Sequence, residues 1–266
     1  MGEPQPRDLL NLATGVAHEA GELIVRLRRT TTIEVAATKS SPTDIVTESD
    51  RASESLIRDR LHDARPADGF LGEEGGGTPG DSGVVWVVDP IDGTVNYLYG
   101  IPSYAVSIAA RVDGEVAVGV VHNPVSGETW SGIRGEGAWL DGDPIQANRQ
   151  VDLSRALIAT GFHYDPDLRA RQAAAMATLL PRVRDIRRVG AASLDLCAVG
   201  TGRVDAFAEQ GLKPWDLAAG GLIAREAGAT VSGLRGAEAG EQFVLAAGEG
   251  LFESLHELLV ESGFGI

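Results

Sequence analysis

Residues 84–104 read VVWVVDPIDGTVNYLYGIPSY. The β-branched and aromatic run Val84-Val85-Trp86-Val87-Val88 predicts a buried strand. It ends at Asp89-Pro90-Ile91-Asp92-Gly93-Thr94, so the strand delivers two carboxylates, three positions apart, to its carboxyl end. Pro90 fixes one φ angle between them, and Gly93 lets the backbone approach a ligand closely. Such an end suits hard divalent cations and a phosphate better than it suits a packed core.

The chain around this stretch has 266 residues, enough for one large domain or two small ones with a substantial core. Its single cysteine, Cys197, excludes an internal disulfide framework and suits a reducing cytosol. The N-terminus lacks an apolar signal region, and no run approaches membrane-spanning length. We therefore expect a cytoplasmic protein with no membrane partner. The net charge of −15 disfavours direct nucleic-acid binding. It also leaves an anionic substrate in need of local neutralisation, which metal ions would supply.

Residues 7–29 place Leu9, Leu12, Val16, Ala20, Leu23, Ile24 and Leu27 at helical spacing. Arg26, Arg28 and Arg29 then favour the negative end of that helix. Lys39-Ser40-Ser41-Pro42 reads as a loop, and Thr47 with Asp50 as a capping pair for a helix to about Leu61. Residues 65–70 read as a turn. Leu71-Gly72-Glu73-Glu74 leads into a glycine-rich loop over 75–83, whose Gly75 to Gly77 we take to be flexible. Alternation over 104–112, the turn Asp113-Gly114 and a second run over 115–121 form a hairpin signal. Short strands follow at 128–131 and 138–140. The second half reads as strands at 157–160, 184–188, 204–208 and 243–247, with helices over 167–180, 193–199, 215–227 and 251–262. Strands mixed with helices throughout imply layers of both. We expect a single domain over 1–266; a modest boundary near 145–153 would divide it into sub-domains 1–150 and 151–266.

Asp89 and Asp92 flank a turn at a strand end, Glu73 precedes them, Asp216 opens a helix, and Asp44 and Asp50 flank Ile45-Val46-Thr47. Carboxylates converging without cations would repel and desolvate one another, whereas hard oxygen ligands of this kind suit Mg²⁺. Taken one at a time the residues are ordinary. An isolated Asp-x-x-Asp is usually a turn, Asp216 alone reads as a helix N-cap, and Glu73-Glu74 as an acidic pair. His18, His62, His122, His163 and His256 show no metal-ligand spacing, and Cys197 sits in an apolar pattern.

Taken together, these segments resemble a known family. DPIDGT at 89–94 and WDLAAGGLIAREAGATV at 215–231 are similar to the two signatures of the inositol monophosphatases. KSSPTDIVTESD at 39–50, GEE at 72–74 and GAASLDLCAVGTGRVDAFAEQG at 190–211 stand in the expected order around them. The resemblance spans about residues 8 to 262. It implies an α+β fold, a layered αβαβα sandwich shared with fructose-1,6-bisphosphatases and commonly assembled as a homodimer. It further implies that Glu73, Asp89, the Ile91 carbonyl, Asp92 and Asp216 hold two Mg²⁺ ions, with a third, weaker one near Glu73. Asp44 and Asp50 would stand in the network around that third site, and Lys39 would tether the loop carrying Asp44. Gly93 and Thr94 would offer backbone N–H groups to the phosphate at a helix N-terminus. Gly190, Ala191, Ala192 and Glu209 would touch the alcohol.

The implied chemistry is direct hydrolysis of a phosphate monoester by a metal-activated water positioned by Glu73 and Thr94. Phosphoryl transfer needs mainly positioning and charge neutralisation, so no cysteine, histidine or serine nucleophile is required. The small phosphorylated polyol expected first as substrate is a myo-inositol monophosphate, because KSSPTD and Glu209 match inositol monophosphatases. Ala191 departs from the Ser or Thr often found there. Histidinol phosphate is the second choice, and other sugar phosphates share the same metal and phosphate site. Lithium sensitivity is implied as well. A different class stays open: some bacterial members are partners of the transcription machinery. A purely non-catalytic protein-binding module would tolerate loss of a metal ligand, and here none is lost.

Overall fold

The computed structural model describes residues 5–39 and 45–264. Helix α1 (Pro6–Thr30) precedes the antiparallel pair β1 (Ala37–Thr38) and β2 (Ile45–Val46), then α2 (Glu48–Ala64). Next come β3 (Gly69–Gly72), β4 (Gly76–Thr78), β5 (Val84–Asp92) and the short helix α3 (Thr94–Tyr99). The strands β6 (Ala105–Val112), β7 (Glu115–His122), β8 (Thr129–Ile133), β9 (Gly137–Leu140) and β10 (Asp143–Pro144) complete the first half. The second half runs β11 (Leu157–Thr160), α4 (Pro166–Leu179), β12 (Asp185–Arg187), α5 (Ala192–Gly200) and β13 (Ala206–Glu209). It closes with α6 (Pro214–Glu226), β14 (Ala229–Ser232), β15 (Val244–Gly248) and α7 (Glu249–Glu261).

Two main sheets result. The first has eight strands in the order β10-β9-β8-β7-β6-β5-β3-β4, antiparallel except where β3 lies parallel to β5. The second has five, β12-β11-β13-β15-β14, of which β12, β11 and β13 are parallel.

Both sheets are buried on both faces, which follows from the two-residue period of their side chains. In β5, Trp86 and Val88 pack with Leu9, Ile24 and Ile57 of α1 and α2, whereas Val87 packs with Ala219 and Ile223 of α6. In β15, Leu245 and Ala247 meet Leu251 and Leu255 of α7, whereas Val244 and Ala246 meet Leu196, Val199 and Ala224. Four apolar interfaces thus join five layers: α1 with α2, the large sheet, α5 with α6, the small sheet, and α4 with α7. This is the αβαβα sandwich expected from the sequence. Among the described residues no helix is long and apolar enough to cross a membrane.

Several local expectations change. Strand β5 continues past Val88 to Asp92, with a register shift against β6 between Asp89 and Asp92. Pro90 has no N–H for the ladder, and a bulge accommodates it. The turn expected over 65–70 ends sooner, since Gly69 and Phe70 already pair with Val85 and Trp86. The loop expected to be flexible holds a strand, because Gly76 to Thr78 pair with Gly72 to Phe70. Backbone pairing of glycines needs no side-chain pattern, so the sequence carried no signal of it.

Helices α5 and α6 approach closely at Gly220, where an added Cβ would lie 2.9 Å from Leu196 Cβ and 3.0 Å from the Ser193 carbonyl oxygen. Gly220→Ala should therefore cost about 1–3 kcal/mol. Differential scanning calorimetry should show Tm lowered by a few degrees; an unchanged Tm would mean that the helices separate freely.

Candidate active site

The bulge at the end of β5 sets the geometry. Asp89 accepts a hydrogen bond from the Ile91 N–H at 3.0 Å, and the Pro90 carbonyl accepts one from Ser53 Oγ at 3.0 Å. Gly93 then takes φ 93°, and a Cβ there would lie 3.0 Å from the Ser103 carbonyl oxygen and 3.2 Å from that of Gly190. Conformation and space both demand glycine at this turn into α3.

A cleft of about 1020 Å³ opens where β5, β11 and β13 end and α3, α5 and α6 begin. Its wall includes Glu73, Asp89, Ile91, Asp92, Gly93 and Thr94 from the first half, and Gly190, Ala191, Ala192, Glu209 and Asp216 from the second. Lys39 and Lys213 line it as well. Asp44 lies outside the described residues. Asp50 is buried behind the wall, where Thr94 Oγ1 lies 3.1 Å from its Oδ1 and 3.1 Å from the Ile91 carbonyl oxygen. Its other oxygen closes the capping box of α2, accepting from Thr47 N at 2.8 Å and Thr47 Oγ1 at 2.5 Å. Burial pushes the Asp50 carboxyl up to about 6, against the pull of Thr47.

The acids crowd one another. Asp89 is raised well above the usual carboxylate range, first by burial and then by the charges of Glu73, Asp92 and Asp216. Asp216 is raised well above it too, by burial, Glu73 and Asp92. Glu73 is also raised by burial, although Lys39 Nζ, 2.7 Å from its Oε1, pulls the other way. The same ammonium lies 2.5 Å from Glu74. Asp216 is the third residue of α6 rather than its N-cap; it reaches back to the Lys213 N–H at 2.6 Å. Lys213 itself pairs with Glu241.

Other participants carried little sequence signal. Ser193 donates to Asp92 Oδ2 from its N–H at 2.7 Å and from its hydroxyl at 2.5 Å, and the Ala192 N–H reaches Oδ1 at 3.2 Å. Burial raises Asp92, and these donors oppose it. Glu54, buried in α2, accepts from the N–H groups of Glu74 and Gly75, both at 2.8 Å, and pairs with Arg58 at 3.0 Å. That anchor holds the backbone beside Glu73. The four-residue spacing of Glu54 and Arg58 was its only visible trace. Asn96 ties α3 to the Ser103 and Val189 carbonyls at 2.7 and 2.8 Å. His163 and Arg188 line the cleft, whereas Cys197 is buried in the core.

Among the described residues, no three His, Cys, Asp or Glu side chains form a ready-made metal cluster. The fit to a metal therefore rests on the donor set. Glu73, Asp89, Ile91, Asp92 and Asp216 border one cleft, burial raises all four of those acids, repulsion within the set raises Asp89 and Asp216 further, and Lys39 is the cation touching Glu73. Hard oxygen donors that repel one another suit a divalent cation such as Mg²⁺.

Glu209 is raised to about 8, first by burial and further by Asp92, with Arg188 opposing. A Cβ on Gly161 would lie 2.2 Å from its carboxylate, so that glycine leaves it room.

Comparison with known proteins gives a consistent picture. The model of the inositol monophosphatase family matches residues 5–262. The inositol-1-monophosphatase of Mycobacterium leprae (strain TN) is 48% identical over 229 residues, covering 82% of this chain and 78% of that protein. The Nus factor SuhB of Escherichia coli (strain K12) is 41% identical over 234 residues, covering 86% of each. The crystal structure of the extragenic suppressor protein suhB from Bartonella henselae superposes with TM-score 0.89 at 35% identity, over 95% of this chain and 98% of that one.

The Glu209 shift predicts a pH effect. A carboxyl raised to about 8 on folding holds its proton in the folded chain after the unfolded chain has lost it. Stability therefore falls as pH rises from about 4.5 through 8. Metal-free Glu209→Gln should melt higher than the wild type at pH 8.5 and alike at pH 5. Parallel melting curves at both pH values would refute the shift.

Proposed function

The chain belongs to the inositol monophosphatase family, and from that premise we propose that it hydrolyses myo-inositol 1-phosphate to myo-inositol and phosphate with Mg²⁺ as its cofactor. That it is a phosphatase follows from the family; substrate, metal and residue roles are our own reading. The observation that carries it is the gathering of Glu73, Asp89, Asp92 and Asp216 with Glu209 on one cleft.

In this reading Glu73, Asp89, Asp92, Asp216 and the Ile91 carbonyl hold two Mg²⁺ ions, and Glu73 borders a third, weaker position. Bound there, the metal supplies charge neutralisation and a water of lowered pKa. Gly93 and Thr94 offer backbone N–H groups to the phosphate. The Thr94 hydroxyl hydrogen points to Asp50 or to the Ile91 carbonyl, each 3.1 Å away. Its lone pairs are then free to accept a hydrogen bond from the attacking water, and Glu73 accepts the other. The water oxygen bonds to phosphorus as the ester P–O bond breaks, and the alcohol oxygen leaves and takes up a proton. Gly190, Ala191, Ala192 and Glu209 border that alcohol. Glu209 would accept a hydrogen bond from a ring hydroxyl of that alcohol. Ala191 offers no hydroxyl, which loosens the choice among alcohols and keeps histidinol phosphate as the alternative substrate.

The same reading places the enzyme in the cytoplasm as a homodimer. Tyr99 and Ile101, 75% and 48% exposed, supply apolar surface for a second copy to cover. A second reading is favoured by the 41% identity to the Nus factor SuhB of E. coli: binding to a protein of the transcription machinery. Pull-down from lysate, set beside Mg²⁺-dependent turnover, separates it from catalysis.

Phosphate release should be measured on D- and L-inositol 1-phosphate, histidinol phosphate and fructose 1,6-bisphosphate. We expect Mg²⁺-dependent turnover, inhibited by Li⁺, with the highest kcat/KM on inositol phosphate; a preference for another ester moves the substrate and keeps the chemistry. Asp92→Asn and Thr94→Ala should each lower kcat by on the order of 10²-fold or more. Near-normal kcat in either variant would remove that residue from the proposed machinery.

A further inference from the structure

The three parallel strands β12, β11 and β13 run toward the cleft, where the residues that follow or end them, Arg188, Gly161 and Glu209, form part of its wall. Their opposite ends border a second cavity of about 550 Å³, lined by Arg155, Leu157, Arg184 and Asp205, with Asp152 and Gly250 nearby on its wall. Three arginines line this cavity, Arg155, Arg184 and Arg203. Arg184 donates from Nε to the Arg155 carbonyl oxygen at 2.7 Å. That bond fixes the side chain and leaves its two terminal nitrogens for another acceptor. The Arg155 side chain has no hydrogen bond or ion pair among the described residues, and Arg184 has no ion pair.

The acids on the same wall are not their partners. Asp205 has both oxygens engaged, accepting from Asn148 Nδ2 at 2.8 Å and from the Leu157 N–H at 2.7 Å. Asp152 is exposed and forms no ion pair with either arginine. Arg203, also on the wall, is neutralised by Glu128 and lies 5.5 Å from the Trp130 ring centre. In a chain whose net charge is −15, one cavity is thus lined by two arginines that have no carboxylate partner among the described residues. An anion taken into that cavity would meet both positive charges. The planar fork of arginine matches the oxygens of a phosphate group with paired hydrogen bonds.

We propose that this cavity is a binding site for a phosphate group, held by Arg155 and Arg184, separate from the catalytic cleft and independent of any metal. The group belongs either to inorganic phosphate or to a small phosphate ester.

The test is isothermal titration of the full chain in EDTA, with inorganic phosphate and with glycerol 2-phosphate, at constant ionic strength. Without a divalent cation the acidic cleft repels an anion, so that binding reports on the arginine pair. We expect saturable binding of one equivalent, weakened at least about tenfold in Arg155→Gln. That variant should keep the wild-type Tm without ligand and the wild-type Mg²⁺-dependent turnover, since the Arg155 side chain makes no hydrogen bond or ion pair among the described residues. Tighter binding of the ester assigns the site to esters, and tighter binding of phosphate assigns it to the free ion. Absence of metal-independent binding, or equal affinity in Arg155→Gln, overturns the proposal. So does loss of binding in Arg188→Gln, a cleft variant, with Arg155→Gln unaffected.

Discussion

The carboxylate of Asp92 holds the two halves of the molecule together at the point where they matter most. It ends β5 in the large sheet, and its oxygens take the Ala192 and Ser193 N–H groups and the Ser193 hydroxyl. Those are the first donors of α5, which otherwise have no intrahelical acceptor. One side chain therefore caps a helix that packs under the small sheet and fixes where Gly190 and Ala191 lie against Gly93. Gly220, by letting α6 close on α5, brings Asp216 to the same place.

Against this anchor the site concentrates charge that the rest of the fold would reject. Glu73, Asp89 and Asp216 are pushed up by burial, Asp89 also by the charges of Glu73, Asp92 and Asp216, and Asp216 by those of Glu73 and Asp92. The surroundings offset part of that cost with particular groups. Lys39 meets Glu73 and Glu74, Glu54 and Arg58 brace the backbone next to Glu73, and Thr47 holds Asp50. Local rules broken at a binding site and compensated around it are the ordinary signature of function set against stability.

Much of this was legible in the chain. The run Val84 to Val88 announced a strand buried on both faces because β-branched and aromatic residues fill both of its sides, and the structure places them in two different cores. Thr47 and Asp50 announced a helix start because a capping box is local in sequence. What stayed hidden is tertiary. Nothing near Asp50 told of its contact with Thr94, nothing near Ser193 told of Asp92, and Glu54 looked like any helical surface acid. Strand β4 stayed hidden for another reason: its glycines pair by backbone alone.

The cleft acids come from the loop after β3, the end of β5 and the start of α6, segments spread over more than half of the chain. In the unfolded chain they are far apart, and no cation meets them together. Any ion that takes the assembled set binds the native state alone, and by mass action draws the population toward it. Closing such long loops before they are rewarded slows folding. Divalent cation around the newly made chain would thus add to the stability of the native state before it has turned over a single substrate.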